Sequence, residues 1–428
     1  MQTTTTTTTR LRTIELTESV QWPFNGNVIA AAVAVGDVDN DGHNEFVVGS
    51  VKGVLAVFKG MQTTRPWRTC ANLGTIACIA VGDILNVHRV TPTPSFFFFF
   101  FFPPSLTRRC QNMIVCLTVE GWCHVFDILP EEPELWSAKT RETVVLAGPT
   151  LTMPLPVNVA RCAIGDMDGD GLNELIISHT DRNLEIFRFH QSKSSSSADA
   201  SRVDFVQVHA VQLPGQSGSI VVLDNNVTAI AQPGGAYVTL DAKLNFQTET
   251  APTEPEMGYF RGGAATELVA LHNNRVVVTS VDGTIKMLFD AAATAPPSSA
   301  SSKPSWELQV NQQLFSLARI DINGDGQPEA AACSWDGMTY FIDANCDIVR
   351  FQVGDDVCAF AAGLFAHSPE HSSQCLFYIN YADQITVFHD VHVNYVAMRT
   401  FVDVLQQEFP SLEISPDSLR RLVYEINS

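Results

Sequence analysis

Three stretches of the chain share one arrangement of apolar and polar positions. Each runs from an apolar segment through an acidic loop to a second apolar segment, then through a short turn to a third, alternating segment that closes on an aromatic residue. They cover residues 36 to 60, 165 to 189 and 320 to 343. Short runs with a period of two, separated by turn residues, are typical of β-strands. Each stretch therefore predicts strand, loop, strand, turn, strand.

Four weaker copies keep the apolar frame without the full acidic loop. They lie at residues 221 to 240, 266 to 290 and 374 to 390, and in a segment that starts at Gly82 and resumes at Asn112. The closing positions of all seven copies are Phe58, Phe126, Phe187, Val238, Leu288, Phe341 and Phe388. Units of about fifty residues with three clear strands and room for a fourth match propeller blades. The sequence predicts an all-β, seven-bladed propeller over residues 13 to 390, with six or eight blades as alternatives.

The two ends of the chain depart from this repeat. Residues 1 to 12 form a low-complexity, threonine-rich N-terminus, whereas residues 13 to 22 alternate like a strand that would pair with the last blade and close the ring. Residues 391 to 428 change to a helical period, with an apolar face over residues 394 to 409 and an N-cap at Ser415. We expect a helical tail that docks on the propeller rim or engages a partner subunit.

Three segments interrupt the blades. In the first and third copies the closing phenylalanine lies 21 positions after the first loop aspartate, whereas in the second it lies 43 positions after it, from Asp83 to Phe126. The surplus corresponds to residues 89 to 110, with a block of seven phenylalanines, and we interpret it as an insertion foreign to the fold. A hydrophobic loop that docks a partner or membrane is the alternative. Residues 191 to 201 and 291 to 304, rich in Ser, Ala and Pro, are predicted to be disordered loops.

The acidic loops place oxygen-bearing side chains at positions 1, 3, 5 and 9, with glycine at position 6. The residues are Asp37, Asp39, Asp41 and Glu45; Asp166, Asp168, Asp170 and Glu174; and Asp321, Asn323, Asp325 and Glu329. Alternate oxygens on a tightly turned loop suit a hard cation, so we predict a structural Ca²⁺ or Mg²⁺ in up to three loops. The flanking strands and the apolar position 12 exclude an EF-hand. The alternative is that Asp and Asn side chains cap their own backbone and no ion is needed.

Charge and cysteine usage restrict the partners. The net charge of −20 disfavours the contacts that nucleic acids and anionic membranes require. No run reaches the roughly 18 apolar residues of a spanning helix, and no secretory signal is apparent. Ten scattered cysteines indicate free, mostly buried thiols in a reducing compartment. The cluster Cys116, Cys123 and His124 fits strand positions better than zinc ligands.

Other classes of protein are disfavoured by the same sequence. The chain has no G-x-S-x-G elbow, H-E-x-x-H motif or glycine-rich phosphate loop, and its carboxylates belong to repeated loops, so we predict no catalysis. A secreted calcium-binding adhesion propeller is a rival that the unpaired cysteines disfavour. An interaction scaffold remains, with Trp67, Trp122 and Trp335 as candidate binding residues or core residues.

The repeats resemble integrin-type FG-GAP repeats, and several longer stretches resemble one family. TRPWRTC (64 to 70), VEGWCHVFD (119 to 127), DMDGDGLNELIISHTDR (166 to 182) and residues 333 to 366 are similar to FG-GAP repeat-containing subunits of the KICSTOR complex. The resemblance implies a non-catalytic scaffold that, with kaptin-like and larger subunits, brings the GATOR complex to the lysosomal or vacuolar surface. There, TOR kinase signalling is restrained when amino acids are scarce. It implies a cytoplasmic protein held at that membrane through partners.

Overall fold

Alternating apolar segments form strands throughout the part of the chain that the computed structural model describes. The described residues are 10 to 16, 19 to 86, 111 to 130, 142 to 192, 202 to 232, 236 to 244, 246 to 249, 267 to 271, 275 to 280, 282 to 288 and 306 to 397. The strands are β1 (Arg10–Glu15), β2 (Val20–Pro23), β3 (Val33–Gly36), β4 (Glu45–Gly49), β5 (Leu55–Phe58), β6 (Arg68–Cys70), β7 (Ile76–Gly82), β8 (Met113–Thr118), β9 (Trp122–Phe126), β10 (Val144–Val145), β11 (Leu151–Pro154), β12 (Val159–Gly165), β13 (Glu174–His179), β14 (Asn183–Ser192), β15 (Arg202–Gln212), β16 (Ile220–Val222), β17 (Thr228–Gln232), β18 (Ala236–Leu240), β19 (Phe246–Glu249), β20 (Glu267–Ala270), β21 (Val276–Thr279), β22 (Thr284–Leu288), β23 (Trp306–Gln309), β24 (Leu314–Ile320), β25 (Glu329–Ser334), β26 (Met338–Ile342), β27 (Ile348–Gln352), β28 (Val357–Ser368), β29 (His371–Asn380), β30 (Gln384–Phe388) and β31 (His392–Ala397).

Strands β2 to β30 build seven sheets within the unit that spans Leu16–His392, and the four main strands of each sheet are antiparallel. Blades 1 to 6 begin with β3, β7, β12, β16, β20 and β24, and blade 7 begins with β28. The first strand of each blade contacts the first strand of the next, and β28 contacts β3, so the ring closes. The predicted seven-bladed propeller is therefore confirmed, and the predicted closing residues lie on the third strand of each blade. Blade 1 carries an additional short strand, β10, parallel to β6.

The N-terminal strand β2 completes the last blade. Val20 pairs with Val387 and Pro23 with Gln384, so β2 is the outer strand of a sheet otherwise built from β28, β29 and β30. The Trp22 ring is fully buried and stacks on Phe58 of blade 1 with centroids 4.5 Å apart. Replacing so large a core side chain by alanine typically costs about 3–5 kcal/mol. The predicted closure by the N-terminal strand is confirmed, with β2 as the closing element.

A second unit is formed by Met1–Glu15 and Val393–Ser428. Within it, β1 and β31 form a two-stranded sheet. The strand β1 begins at Arg10, inside the stretch assigned to the low-complexity N-terminus. The predicted helix over residues 394 to 409 is wrong at its start, because β31 continues as a strand to Ala397. The rest of the predicted helical tail lies outside the described residues.

The core is made by strands that are apolar on both faces. Every residue of the second strand of blades 1 to 6 is buried, as expected where each blade packs between two neighbours. Phe46 of blade 1 stacks on Phe377 of blade 7 with centroids 4.3 Å apart. The described cysteines are all free thiols and are buried or half-buried, as predicted. The insertion proposed for residues 89 to 110 and the loops proposed for 193 to 201 and 291 to 304 lie outside the described residues, whereas Gln191 and Ser192 belong to β14.

Across the described residues, no helix has the length and hydrophobicity needed to span a bilayer.

Candidate functional site

The three acidic loops occupy equivalent places in their blades. Each connects the first strand to the second, between β3 and β4, β12 and β13, and β24 and β25. Because strands alternate in direction, these connections all lie at the same end of their blades. The position before the loop is glycine in blades 1, 2 and 3, and a Cβ at Gly165 would come within 2.8 Å of Val222 Cβ in the next blade. This glycine therefore lets neighbouring blades approach closely.

The first aspartate of each loop accepts hydrogen bonds from the loop backbone. Asp37 Oδ2 accepts from the Gly42 amide at 2.9 Å, and Asp166 and Asp321 accept from the equivalent glycines at 2.8 and 3.0 Å. Gly42 itself has a φ of 94°, a left-handed conformation that glycine adopts without strain. The proposed backbone-capping role of the loop aspartates is thus realised at position 1.

The glutamate at position 9 ties the loop to the blade core. In the three loops, Glu45, Glu174 and Glu329 each accept a hydrogen bond through Oε2 from the backbone amide at position 2, at 2.9 to 3.0 Å. The position 2 side chains are buried apolar residues: Val38, Met167 and Ile322. Each glutamate is itself buried, and its other oxygen, Oε1, faces the centre of the loop.

In the first loop a lysine ammonium lies at that centre. Lys59 Nζ is 2.5 Å from Asp39 Oδ2, 2.6 Å from Asp41 Oδ2 and 2.9 Å from Glu45 Oε1. The side chains of Lys59, Asp39 and Glu45 are fully buried. Lys59 stands directly after the closing phenylalanine, 22 residues beyond Asp37 (59 minus 37). The carboxylate oxygens that a divalent cation would need are therefore bound to an internal cation.

The second loop uses arginine in the same way. Arg188, again 22 residues beyond the first aspartate (188 minus 166), lies 2.9 Å from both Asp168 Oδ2 and Asp170 Oδ2 and also pairs with Glu174. Here the two aspartates are more than a third exposed, whereas Glu174 is buried. Arginine matches several carboxylates at once because its planar guanidinium carries five donors.

In the part of the chain that the structure describes, the third loop has no such partner. The equivalent position is Asp343 (343 minus 321), whose Oδ1 accepts hydrogen bonds from the Asn345 and Asp347 amides in the next turn. Among the described residues, no ion pair involves Asp321, Asp325 or Glu329. The amide of Asn323 instead donates to Asp325 Oδ2 at 3.2 Å and to Glu329 Oε1.

Burial and charge set the protonation of these loops. Burial, partly offset by the Lys59 ammonium, raises the pKa of Glu45 above its usual range. Burial opposes the charged form of Lys59, but the Glu45 and Asp39 carboxylates outweigh it and raise the pKa of that ammonium. In the third loop, burial, reinforced by the Asp325 and Asp321 charges, raises the pKa of Glu329 to about 7. Burial is the main cause of the raised pKa of Glu329, and the nearby carboxylates add to it.

The fit of a divalent cation differs between the loops. In the first two, Lys59 and Arg188 already neutralise the converging oxygens, so a metal ion would have to displace them. In the third, Asn323, Asp325 and Glu329 converge, and no basic side chain of a described residue pairs with them. Such oxygen donors are those that calcium or magnesium prefers. A structural ion in this loop stays a prediction.

A set of asparagines, which the sequence analysis missed, links the loops of adjacent blades. Asn40 at loop position 4 accepts from the Asn112 amide at 2.7 Å and donates to the Asn112 carbonyl at 3.1 Å. Asn86 makes the same pair with Asn173, at 2.7 and 3.0 Å, between blades 2 and 3. Asn44 reaches from blade 1 to the Leu364 carbonyl of blade 7. Asparagine recurring at loop positions 4 and 8 was the signal that could have found them.

The candidate aromatic residues separate into two groups. Trp67 is buried, and its ring covers the Lys59 ammonium, with Nζ 4.8 Å from the ring centroid. Of the two roles predicted for Trp67, the structure therefore supports the core role. Trp122 and Trp335 are 44% and 39% exposed, as a binding role requires. The Cys116, Cys123 and His124 side chains lie on β8 and β9, with His124 hydrogen-bonded to Thr152 and to the Leu73 carbonyl.

Fold and loops together define a seven-bladed propeller of the FG-GAP type. Residues 104 to 393 match the family model described as integrin-alpha FG-GAP repeat-containing protein 2, and the chain belongs to that family. It is 30% identical over 439 residues to the KICSTOR complex protein ITFG2 of Mus musculus, covering 96% of this chain and 94% of that one. The Bos taurus protein of the same name is also 30% identical, over 93% of this chain and 75% of its own length.

Solved structures with distant sequences share the fold alone. The chain of BBS1N, solved in complex with ARL6DN, has a TM-score of 0.58 at 11% identity, covering 88% of this chain and 96% of that one. The propeller domain of Cps50 (Swd1) from Myceliophteria thermophila has a TM-score of 0.53 at 10% identity, covering 88% and 99%. Both support the propeller architecture.

Proposed function

We propose that this chain is a non-catalytic scaffold subunit of a KICSTOR-type complex. The observation that carries the proposal is the 30% identity, over nearly the whole of both chains, to a mouse protein named as a KICSTOR complex protein. Full-length similarity matters because a propeller presents its partner surfaces through the order of its blades. In this role the ring acts as a rigid platform, and its protein partners include a kaptin-like subunit and larger KICSTOR subunits.

The chemistry of the loops supports a structural role for their acidic residues. A general acid or base must be free to exchange a proton with a substrate. In the first two loops the carboxylates are instead engaged by Lys59, Arg188 and the loop backbone. The same engagement disfavours a calcium-dependent adhesion propeller, since two of its three candidate loops carry their own cations.

The finer proposal is that the complex brings GATOR to the lysosomal or vacuolar surface and restrains TOR kinase when amino acids are scarce. The net charge of −20 supports attachment through partner proteins, because an acidic surface is repelled by anionic lipid headgroups. The protein is then a peripheral, cytoplasmic component at that membrane.

One part of the surface is suited to partner contacts. The turns between second and third strands, at the end of the blades opposite the acidic loops, carry Trp335 in blade 6 and Tyr381 in blade 7. Trp335 is 39% exposed and stacks on the buried Phe315 ring with centroids 4.0 Å apart, so its orientation is fixed before binding. Tyr381 is 55% exposed. Rigid exposed aromatics are the side chains most enriched at binding hot spots.

Affinity purification of the tagged full chain from its own cells, followed by mass spectrometry, tests the assignment. We expect a kaptin-like subunit and GATOR components to co-purify, and TOR substrates to stay phosphorylated during amino-acid starvation when the gene is deleted. Recovery of neither partner would overturn the proposed function.

A paired substitution tests the proposed surface. In the double variant Trp335→Ala, Tyr381→Ala, the amount of partner that co-purifies should fall at least tenfold, while the melting temperature of the purified protein stays unchanged. Leu129→Ala, which truncates a 74% exposed side chain elsewhere, is the matched control. Unchanged recovery in the double variant would place the partner on another face.

A further inference from the structure

Blade 7 gathers imidazoles where its first and second strands connect, the position that the acidic loops occupy in blades 1, 3 and 6. The hairpin from β28 to β29 carries His367 near the end of one strand and His371 at the start of the next. His389 and Asp390 follow the end of β30, which pairs with β29 in the same sheet. Two turns of one sheet therefore bring three histidines and one carboxylate together.

The side chains converge closely. The ligand atoms of His367, His371 and Asp390 all lie within 4.8 Å of one another. The His367 ring stands edge-on to His371 and to His389, with centroids 4.9 Å apart in both cases. His371 Nε2 is 3.2 Å from Asp390 Oδ1, and His389 Nδ1 is 2.8 Å from Asp390 Oδ2.

The cluster is held in place by a serine beneath it. Ser373 Oγ hydrogen-bonds His367 Nε2 at 2.8 Å and accepts from the Asp390 amide at 2.9 Å. The fully buried thiol of Cys375 lies 3.5 Å from the same histidine nitrogen. Asp390 and His367 are thus positioned by a common partner before any ligand binds.

We propose that His367, His371 and Asp390 form a binding site for a zinc-class transition-metal ion. Imidazole with carboxylate is a donor set that suits zinc, copper, iron and nickel, whereas the all-oxygen acidic loops suit calcium and magnesium. Zinc binds histidine nitrogen and carboxylate oxygen at about 2.0–2.2 Å, which a modest rotation of the exposed His371 side chain allows. His389, hydrogen-bonded to the second oxygen of Asp390, orients that ligand as outer-sphere partners of metal sites do. A water molecule completes the coordination.

Cobalt titration of the full-length, metal-stripped protein tests the site. Cobalt in a tetrahedral nitrogen and oxygen environment has visible absorption bands that octahedral, carboxylate-bound cobalt shows only weakly. We expect one equivalent of Co²⁺ to bind at micromolar concentration with these bands, and one equivalent of Zn²⁺ to remove them.

Three variants decide whether the named residues hold the ion. His371→Ala, at a side chain 58% exposed, and Asp390→Asn should each weaken binding at least tenfold, whereas His209→Ala, an exposed histidine on β15, should not. Circular dichroism and the melting temperature report whether each variant folds. Absence of tetrahedral bands in the wild-type protein, or wild-type affinity in folded His371→Ala, would overturn the proposal and leave a hydrogen-bonded histidine cluster only.

Discussion

The first and third acidic loops share the same side-chain-to-backbone hydrogen bonds but differ in the group that faces their carboxylates. In both, the first aspartate caps the glycine amide and the glutamate binds the position 2 amide. In the first, Lys59 fills the centre, whereas in the third the equivalent residue is Asp343, which serves a neighbouring turn. The comparison shows that the hydrogen bonds from the aspartate and glutamate to the backbone set the conformation of the loop. The group at its centre affects only the remaining negative charge.

Removing the internal cation of the first loop should have the largest effect. Lys59→Met keeps the apolar stem but leaves the buried Asp39 and Glu45 carboxylates without their cation, which typically costs about 3–5 kcal/mol. Urea denaturation measures the loss in the free energy of unfolding. Lys52→Met, at an exposed lysine in the following turn, is the control. A loss below about 1 kcal/mol would mean that the loop does not depend on its lysine.

The second loop should lose less by the same change. Arg188→Met leaves Glu174 buried, but Asp168 and Asp170 are exposed enough for water to screen them. We expect a loss of about 1–3 kcal/mol in the same measurement, and Arg188→Lys should recover part of it. If Arg188→Met lowers the free energy of unfolding more than Lys59→Met does, the burial of the carboxylates does not determine how much each loop depends on its cation.

The third loop should show a pH dependence that the raised pKa of Glu329 dictates. The folded protein holds a proton on Glu329 up to about pH 7, whereas the unfolded carboxyl releases it near 4.5. The stability from this proton is therefore complete below about pH 4.5 and is lost as the pH rises through about 7. Between pH 5 and 7, Glu329→Gln should flatten the decline in unfolding free energy by about 1–2 kcal/mol. Parallel profiles for variant and wild type would contradict this.

Calcium binding should also distinguish the loops, through a smaller change in the stability of the protein. We expect millimolar Ca²⁺ to stabilise the wild-type protein by about 1 kcal/mol, or roughly 1–2 °C in Tm for a domain of this size, through the third loop. Asp325→Asn should abolish the shift, whereas Asp170→Asn, at the equivalent position of the loop filled by Arg188, should leave it intact. A shift lost in Asp170→Asn would assign the ion to the second loop.

Blade number and order could be predicted from the sequence because each blade repeats the same alternation. The strand β2 was also predictable, since residues 13 to 22 alternate and a ring needs a closing strand. The strand β31 was not, because NYVAMR carries apolar residues at spacings that fit a helix as well as a strand, and pairing with a distant strand decided between them.

The chemistry of the loops was only half predictable. The glycine and aspartate positions could be predicted because the loop backbone itself requires them: glycine adopts the left-handed conformation, and aspartate accepts hydrogen bonds from nearby amides. The partner of those carboxylates depends on a contact 22 residues away, between Lys59 or Arg188 and its loop, although a basic residue after the closing phenylalanine was visible in both copies. The sequence left Trp67 open as a binding or a core residue for a similar reason, since only the fold shows that its ring covers Lys59.

The closing strand β2 also determines when the ring can be completed during translation. Val20 must wait for its partner Val387, 367 residues later (387 minus 20), before blade 7 has its fourth strand. At about 5–20 residues per second, the ribosome needs roughly 20 to 70 s to deliver it. During that interval Trp22 lacks the Phe365 and Phe377 rings of blade 7 against which it packs, so the ring can be completed only after nearly all of its blades have been translated.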